Sequence, residues 1–258
     1  MGHENNKSIS EKLAELAQTQ PRYTRGVFSF PFGELRYVDP LTLQIQYDEI
    51  FVQKLYDYVT REHAPLILDC GGNIGMSVIR FRQEHPKSRI ITFEADPSIA
   101  DVLKQNLRTM GMDDVKVVDA AVWDRNGTAR FEVEGAEGGR LHPGGQIEVS
   151  TVRLADYITE DVDMLKLDIE GAEWQVLRDL GKQDLLKRVR HMVIEFHGTH
   201  DNSKLIGEIL SMLTLNGFSF TFPWAFCEPG LPGADEPTPF LYARDAKFIL
   251  FLHAWRGA

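Results

Sequence analysis

Leu66-Ile-Leu-Asp-Cys-Gly-Gly-Asn-Ile-Gly75 reads as an apolar strand that ends in a glycine-rich turn, and residues 76–84 behind it carry helical spacing. Glycines at 71, 72 and 75 allow the backbone to approach a ligand at the carboxyl end of a sheet. Four further apolar strands follow, at 90–94, 115–118, 164–168 and 192–196, with helical stretches at 99–110, 172–180 and 204–216. This alternation predicts an α/β fold, a parallel sheet with helices on both faces. Gly217 is placed to end the last helix as a left-handed cap.

Between residues 120 and 158 the period changes. Stretches 128–133 and 147–152 alternate apolar and polar residues around a Gly-rich segment at 135–145, which predicts an antiparallel excursion. Residues 218–222 and 247–253 read as a terminal pair of strands joined by a long Pro- and Gly-containing loop. Its portion at 223–242, with Trp224, Phe226 and Phe240, is a candidate cover for an acceptor, with a core or oligomer contact as the equal alternative.

Ahead of the alternating region, Leu13, Leu16 and Ala17 predict a short amphipathic helix capped by Ser10. A hairpin over 27–38, turning at Pro31-Phe-Gly33, and a helix over 47–60 with Ile50, Phe51, Leu55 and Tyr58 inward come next. Residues 1–62 are thus expected to form a helical and hairpin cap, with the main domain at 63–258.

The composition is globular, 43% hydrophobic and 26% charged. A formal charge of −10 argues against a nucleic-acid partner, because a polyphosphate would be repelled. The basic stretch from Lys182 to Arg190 is interrupted by Asp184 and reads as a solvated helix end. Two cysteines, Cys70 in a strand and Cys227 in a loop, make neither a disulfide scaffold nor a thiolate metal cluster. With no long apolar run and no leader pattern, no membrane partner is expected and the cytoplasm is the default location. A homo-oligomer is left open.

Glu94 closes the second strand about 20 residues beyond the glycine turn, where an acid accepts hydrogen bonds from two ribose hydroxyls. Both elements suit any nucleoside cofactor, NAD included. Asp69 and the spacing Gly71-x-x-x-Gly75 place an acid where a pyrophosphate would be repelled and a cationic amino acid accepted, which favours S-adenosylmethionine. In Met164-Leu-Lys-Leu-Asp-Ile-Glu-Gly-Ala-Glu-Trp-Gln-Val-Leu177, Asp168 and Glu170 end a strand at the same edge, and Glu195-Phe-His197 ends the next strand likewise.

The chain resembles the FkbM family of S-adenosylmethionine-dependent methyltransferases. The family pattern of an Asp-x-Gly-x-Asn-x-Gly turn, an acidic second-strand end and Lys-x-Asp-x-Glu-Gly-x-Glu before an apolar helix reads here as Asp69 to Gly75, Glu94, and Lys166 to Glu173. The match spans residues 45–200, including Tyr47-Asp-Glu-Ile-Phe51 and Thr151-Val-Arg-Leu-Ala-Asp156, and is generic after Asp201. Cys70-Gly71-Gly72 stands where such sequences usually carry Val-Gly-Ala, a change of small packing side chains.

The resemblance implies the class I methyltransferase fold, a Rossmann-like three-layer sandwich whose mostly parallel seven-stranded sheet has an antiparallel last strand. It also implies O-methylation of a small hydroxylated acceptor such as a sugar or polyketide. Asp69, Gly71, Asn73 and Gly75 are then expected to hold the amino-acid end of the cofactor, Glu94 its ribose, and Asp119 with Ala120 its adenine. His197, mostly neutral at its ordinary pKa of about 6.5, is the expected base, with Asp168 and Glu170 as rivals. Asp168, Glu170 and Glu195 are candidate ligands for a divalent metal such as magnesium. An NAD-dependent oxidoreductase and a non-catalytic cofactor-binding module are the competing readings.

Overall fold

A computed structural model describes residues 2–227 and 247–257. The chain opens with helix α1 (Gly2–Thr19), the antiparallel hairpin β1 (Gly26–Phe30) and β2 (Gly33–Tyr37), and helix α2 (Pro40–Tyr47), which continues into a π-helical turn at Asp48–Val52. Two of these differ from the sequence expectation. Ser10 is not a cap but lies inside α1, where its hydroxyl donates to Asp48 Oδ1 at 2.6 Å. The helix expected over 47–60 lies earlier, because Asp39 caps it through Thr42 N and Pro40 opens it. Beyond the π turn Lys54 takes a left-handed φ of 59°, yet Ile50, Phe51 and Leu55 are buried as expected.

The alternating region follows as β3 (Leu66–Cys70), α3 (Met76–Glu84), β4 (Arg89–Glu94), α4 (Pro97–Thr109) and β5 (Lys116–Asp119). The excursion comprises β6 (Ala121–Trp123), β7 (Gly127–Glu132), β8 (Arg140–Leu141) and β9 (Ile147–Arg153), in the order β6-β9-β7-β8 with β7 and β9 antiparallel. The chain returns through β10 (Val162–Leu167), α5 (Glu173–Lys182), β11 (Val189–Thr199), α6 (Lys204–Leu215), β12 (Ser219–Cys227) and β13 (Lys247–Trp255). Cys227, expected in a loop, ends β12. The loop proposed as a cover at 223–242 lies outside the described residues from 228 onward.

The large sheet has the order β12-β13-β11-β10-β3-β4-β5. Strands β11, β10, β3, β4 and β5 pair in parallel, while β13 pairs antiparallel with β11 and β12. The observed fold is therefore the three-layer sandwich with a seven-stranded, mostly parallel sheet and an antiparallel last strand.

Alternation along the strands divides the core. Leu66, Leu68 and Cys70 of β3 pack with Val176, Leu177 and Leu180 of α5 and Ile209 and Leu213 of α6. Ile67 faces the other way, into a cluster with Val78 and Ile79 of α3, Leu103 of α4, and Leu13, Leu35 and Leu43 from the first segment. Residues before the glycine turn thus share one core with α3 and α4. Each such buried aliphatic side chain is worth about 1.5–3 kcal/mol relative to exposure, enough to hold the first segment against the sheet. The expected solvated reading of 182–190 agrees with its ion pairs, Lys187 with Asp184 and Arg188 with Asp161. Among the described residues no helix is long and apolar enough to cross a membrane.

Candidate active site

A cleft of about 700 Å³ opens at the carboxyl ends of β3, β4, β10 and β11. One wall is made by the glycine turn. Gly71 N and Gly72 N both donate to Phe93 O, at 3.0 and 2.8 Å, so β3 hands its hydrogen bonding to the end of β4 as it turns. Gly71 has φ 88°, and a Cβ there would stand 1.9 Å from Asp168 O, so only glycine fits between the two strand ends.

Asn73, at φ 45°, donates its N–H to Glu94 Oε2 at 2.9 Å, and Asp96 N donates to Glu94 Oε1 at 2.8 Å. Each Glu94 oxygen keeps a lone pair for a ligand hydroxyl. Burial pushes the Glu94 carboxyl up to about 7, against the two backbone donors that favour its charge.

Gly71, Asn73, Glu94 and Ala120 line the cleft, whereas Asp69, Gly75 and Asp119 do not. Asp69 shares the face of Ile67, so its carboxylate lies below the floor, fully buried. Its Oδ2 accepts from Thr92 Oγ1 at 2.8 Å and Ser77 Oγ at 3.0 Å, and Oδ1 is 3.8 Å from Lys166 Nζ. Asp69 therefore braces the turn from beneath, and the role expected of it at the amino-acid end of a cofactor would have to be exerted through that turn. Gly75 opens α3 at φ 97°. Asp119 closes the edge strand β5, and its exposed carboxylate pairs with Lys104 of α4.

The opposite wall is charged. Strand β10 stops at Leu167, and the chain turns through Glu170 at φ 56° and Gly171 at φ 99° into α5. Lys166 is 2% exposed; its ammonium donates to Gly71 O at 2.7 Å and Asp168 Oδ2 at 3.1 Å. It links the two walls. His197 Nε2 lies 3.5 Å from Glu170 Oε1 and 3.6 Å from Glu195 Oε1, while Nδ1 lies 3.3 Å from Glu173 Oε1.

Burial disfavours the imidazolium, but the hydrogen bond to Glu173 and the charges of Glu170, Glu173 and Asp168 outweigh it and hold the His197 pKa well above 6.5. The surroundings thus favour the imidazolium, whereas the ordinary value alone suggested a mostly neutral ring. Burial likewise pushes Glu170 to about 8 and raises Glu195 well above the carboxylate range.

Two lining carboxyls escaped sequence reasoning. Glu49, from the π turn, and Glu137, from the Gly-rich stretch, are both raised to about 7 by burial with Asp168 the next cause. Glu49 sits inside the quoted Tyr47-Asp-Glu-Ile-Phe51, but its wrongly placed helix gave no reason to aim it at the sheet edge. With Asp168, Glu170 and Glu195 they make the cleft strongly acidic, against Lys166, Arg140 and Lys247. Asp168, Glu170 and His197 can each bring one ligand atom within 4.8 Å of the others, with the imidazole taking the place expected of Glu195.

The family model described as the Methyltransferase FkbM domain matches residues 69–220, more than half of the chain. The chain is 26% identical to methyltransferase sdnD of Sordaria araneosa over 224 residues, 71% of this chain and 85% of that protein. It is 29% identical to the 2-O-methyltransferase NoeI of Sinorhizobium fredii over 157 residues, 51% of this chain and 63% of that protein. It is 28% identical to the 31-O-demethyl-FK506 methyltransferase FkbM of Streptomyces tacrolimicus over 220 residues, 68% of this chain and 82% of that protein.

Proposed function

The chain belongs to the FkbM methyltransferase family, and from that premise we propose that it methylates a hydroxyl group of a small metabolite, such as a sugar or polyketide, with S-adenosylmethionine as donor. The observation that carries this reading is His197 Nε2, ringed by Glu170 and Glu195 on the wall of the cleft that Gly71, Asn73 and Glu94 also line. Two relatives whose names specify O-methylation support the choice of a hydroxyl.

The residues present fit this cofactor. The volume is that of a small-molecule site, Glu94 retains acceptors for a ribose diol, and the acidic lining suits a sulfonium and an ammonium where it would repel the pyrophosphate of NAD. Gly71 and Asn73 would face the amino-acid end, Glu94 the ribose and Ala120 the adenine, with Asp69 and Gly75 shaping the turn.

The bound cofactor supplies an already activated methyl group, which passes from sulfur to the acceptor oxygen as the C–S bond breaks. The protein then needs only alignment and a base. His197 Nε2 takes the hydroxyl proton. In the ligand-free cleft the hydrogen bond to Glu173 and the neighbouring acidic groups favour the imidazolium; a second positive charge beside it favours the neutral form. Asp168 is already neutralised by Lys166 and an imidazole stands among the converging groups, so the donor set suits magnesium poorly. The transfer is expected to continue after chelation of divalent ions.

The test uses the whole chain with methyl-labelled S-adenosylmethionine and a panel of hydroxylated metabolites, alongside calorimetry with S-adenosylhomocysteine and NADH. Label in a new O-methyl group, lost by at least about 10²-fold in kcat for His197→Ala, is the expected result. Undiminished turnover by that variant sinks the base assignment. Binding of S-adenosylhomocysteine with no transfer to any acceptor supports a non-catalytic module instead.

A further inference from the structure

We infer that Glu173 is the positioning residue of the acceptor wall, one buried carboxylate that both aims His197 and holds the turn carrying Asp168 and Glu170. The inference rests on the reading of His197 as base and goes beyond it by naming the group behind the imidazole.

Three contacts converge on a single oxygen. Glu173 Oε1 accepts from Ile169 N and Gly171 N, each at 3.1 Å, and lies 3.3 Å from His197 Nδ1. The residue is 0% exposed, and its other oxygen, Oε2, has no hydrogen-bond partner among the described residues. A fully buried carboxylate is costly unless donors compensate it, so its placement requires an explanation that a helix cap alone does not supply.

Position supplies one. Glu173 is the first residue of α5, where a negative charge is favoured by the helix dipole. From there it reaches back over a turn in which two successive residues, Glu170 and Gly171, have positive φ. A non-glycine residue held there is strained and persists only where its surroundings over-determine it. The two N–H groups flanking Glu170 are those tied to Glu173, so the carboxylate fixes the direction in which Asp168 and Glu170 leave the sheet edge.

The contact to His197 acts at the same atom. A carboxylate only accepts, so Nδ1 carries the proton and donates it. Nε2 is thereby the ring nitrogen presented to the cleft, between Glu170 and Glu195. A base oriented in this way loses rate when its partner is removed, even though the base itself remains. Glu173 does not line the cleft, so cofactor binding should be indifferent to its charge.

The experiment combines Glu173→Gln, His197→Ala and the double variant in the full chain with proton NMR of the ligand-free protein. Glu173→Gln is expected to lower kcat roughly tenfold or more, with KM for S-adenosylmethionine and affinity for S-adenosylhomocysteine unchanged within about twofold. The double variant should be no slower than His197→Ala, because the two residues act as one unit. The wild type should show a far-downfield Nδ1–H resonance that is absent in His197→Ala and moves upfield in Glu173→Gln.

Full kcat in Glu173→Gln, or losses that multiply in the double variant, overturn the assignment of Glu173 while leaving the base reading intact. Undiminished turnover in His197→Ala overturns the base reading and this inference together, and is recognised by that single variant. A wild-type spectrum without the downfield proton overturns the inference even if Glu173→Gln does not fold.

Discussion

The two walls of the cleft are built from different materials. On the cofactor wall the contact surface is main chain, set by Gly71, Gly72 and Asn73 and tied to the neighbouring strand through Phe93 O and Glu94. On the acceptor wall it is side chain, with Asp168, Glu170, Glu195 and His197 projecting from two strand ends and Glu49 arriving from a segment that precedes the sheet. A wall of backbone tolerates almost no change at its glycines but needs few special side chains. A wall of side chains is the reverse, and it is the wall on which an acceptor can be changed without rebuilding the turn.

The largest effect should come from breaking this contrast at matched positions. Both Gly71 and Gly171 have positive φ, 88° and 99°, but a Cβ on Gly71 would meet Asp168 O at 1.9 Å while one on Gly171 meets nothing within 4 Å. Gly71→Ala must therefore displace backbone as well as bear the conformational strain, about 2–5 kcal/mol in all. The melting temperature should drop by roughly 10 °C, with S-adenosylhomocysteine binding lost. Gly171→Ala carries only the strain, about 1–2 kcal/mol. Equal melting temperatures for the two variants would dissolve the distinction between the walls.

Glu94 tests the cofactor wall more gently. Both its oxygens accept backbone N–H groups, from Asn73 and Asp96, so Glu94→Gln turns an amide donor toward one of two donors. Leaving one N–H unsatisfied costs about 1–3 kcal/mol, and the expected outcome is a 10- to 100-fold weaker affinity for S-adenosylhomocysteine by calorimetry. Unchanged affinity would place the ribose elsewhere.

This difference of material also explains what was legible. Glycine spacing and strand-end acids are local patterns, so 66–75 and Glu94 declared the cofactor wall, and the period-two and helical runs declared the sheet and most helices. A motif gives spacing but not side-chain direction, so it did not show that β3 turns the Asp69 carboxylate under the floor. Nor did it show the pairing of Asp119 with Lys104 beside the edge strand. Glu49 and Glu173 sit inside quoted motifs, but their roles were silent because these lie in what the fold brings near them, the cleft in the first case and His197 in the second. The second helix of the cap was misplaced because Asp39-Pro40 outweighed the apolar spacing of 47–60.

Acidity separates the walls less than it separates the filled cleft from the empty one. Glu49 and Glu94 titrate at about 7 and Glu170 at about 8 in the folded chain, all above the 4.5 of an unfolded glutamate. Between those values the folded state binds more protons than the unfolded state, so this part of the stability is present at low pH and lost as pH rises through 7 to 8. The ligand-free protein should melt several degrees higher near pH 6 than near pH 8.5 by differential scanning fluorimetry. Cationic S-adenosylmethionine, which prefers ionised carboxylates, should stabilise the protein more at the higher pH. A ligand-free melting temperature that rises with pH across this window would contradict the burial of these carboxyls.

The smallest effect is expected where the first segment is tied to the cofactor wall. Tyr23 Oη donates to Glu134 Oε1 at 2.6 Å, and Glu134 Oε2 accepts from Ala136 N at 3.0 Å and Gly138 N at 3.2 Å. Ala136 O in turn accepts from Asn73 Nδ2 at 2.9 Å, so the first segment is linked to the cofactor turn across a stretch that lines the cleft. Tyr23 is half exposed, 52%, and contacts between exposed groups are weak, so Tyr23→Phe should speed cofactor release by only about two- to threefold. Asn73→Ala removes the inner link of the same chain, together with the contact of Asn73 Oδ1 to Ile74 N, and should act more strongly. Stopped-flow displacement of S-adenosylhomocysteine measures both. If Tyr23→Phe equals Asn73→Ala, the outer clasp governs access to the cofactor wall; if Tyr23→Phe has no effect at all, the stretch over the cleft is held by Asn73 and its own turns alone.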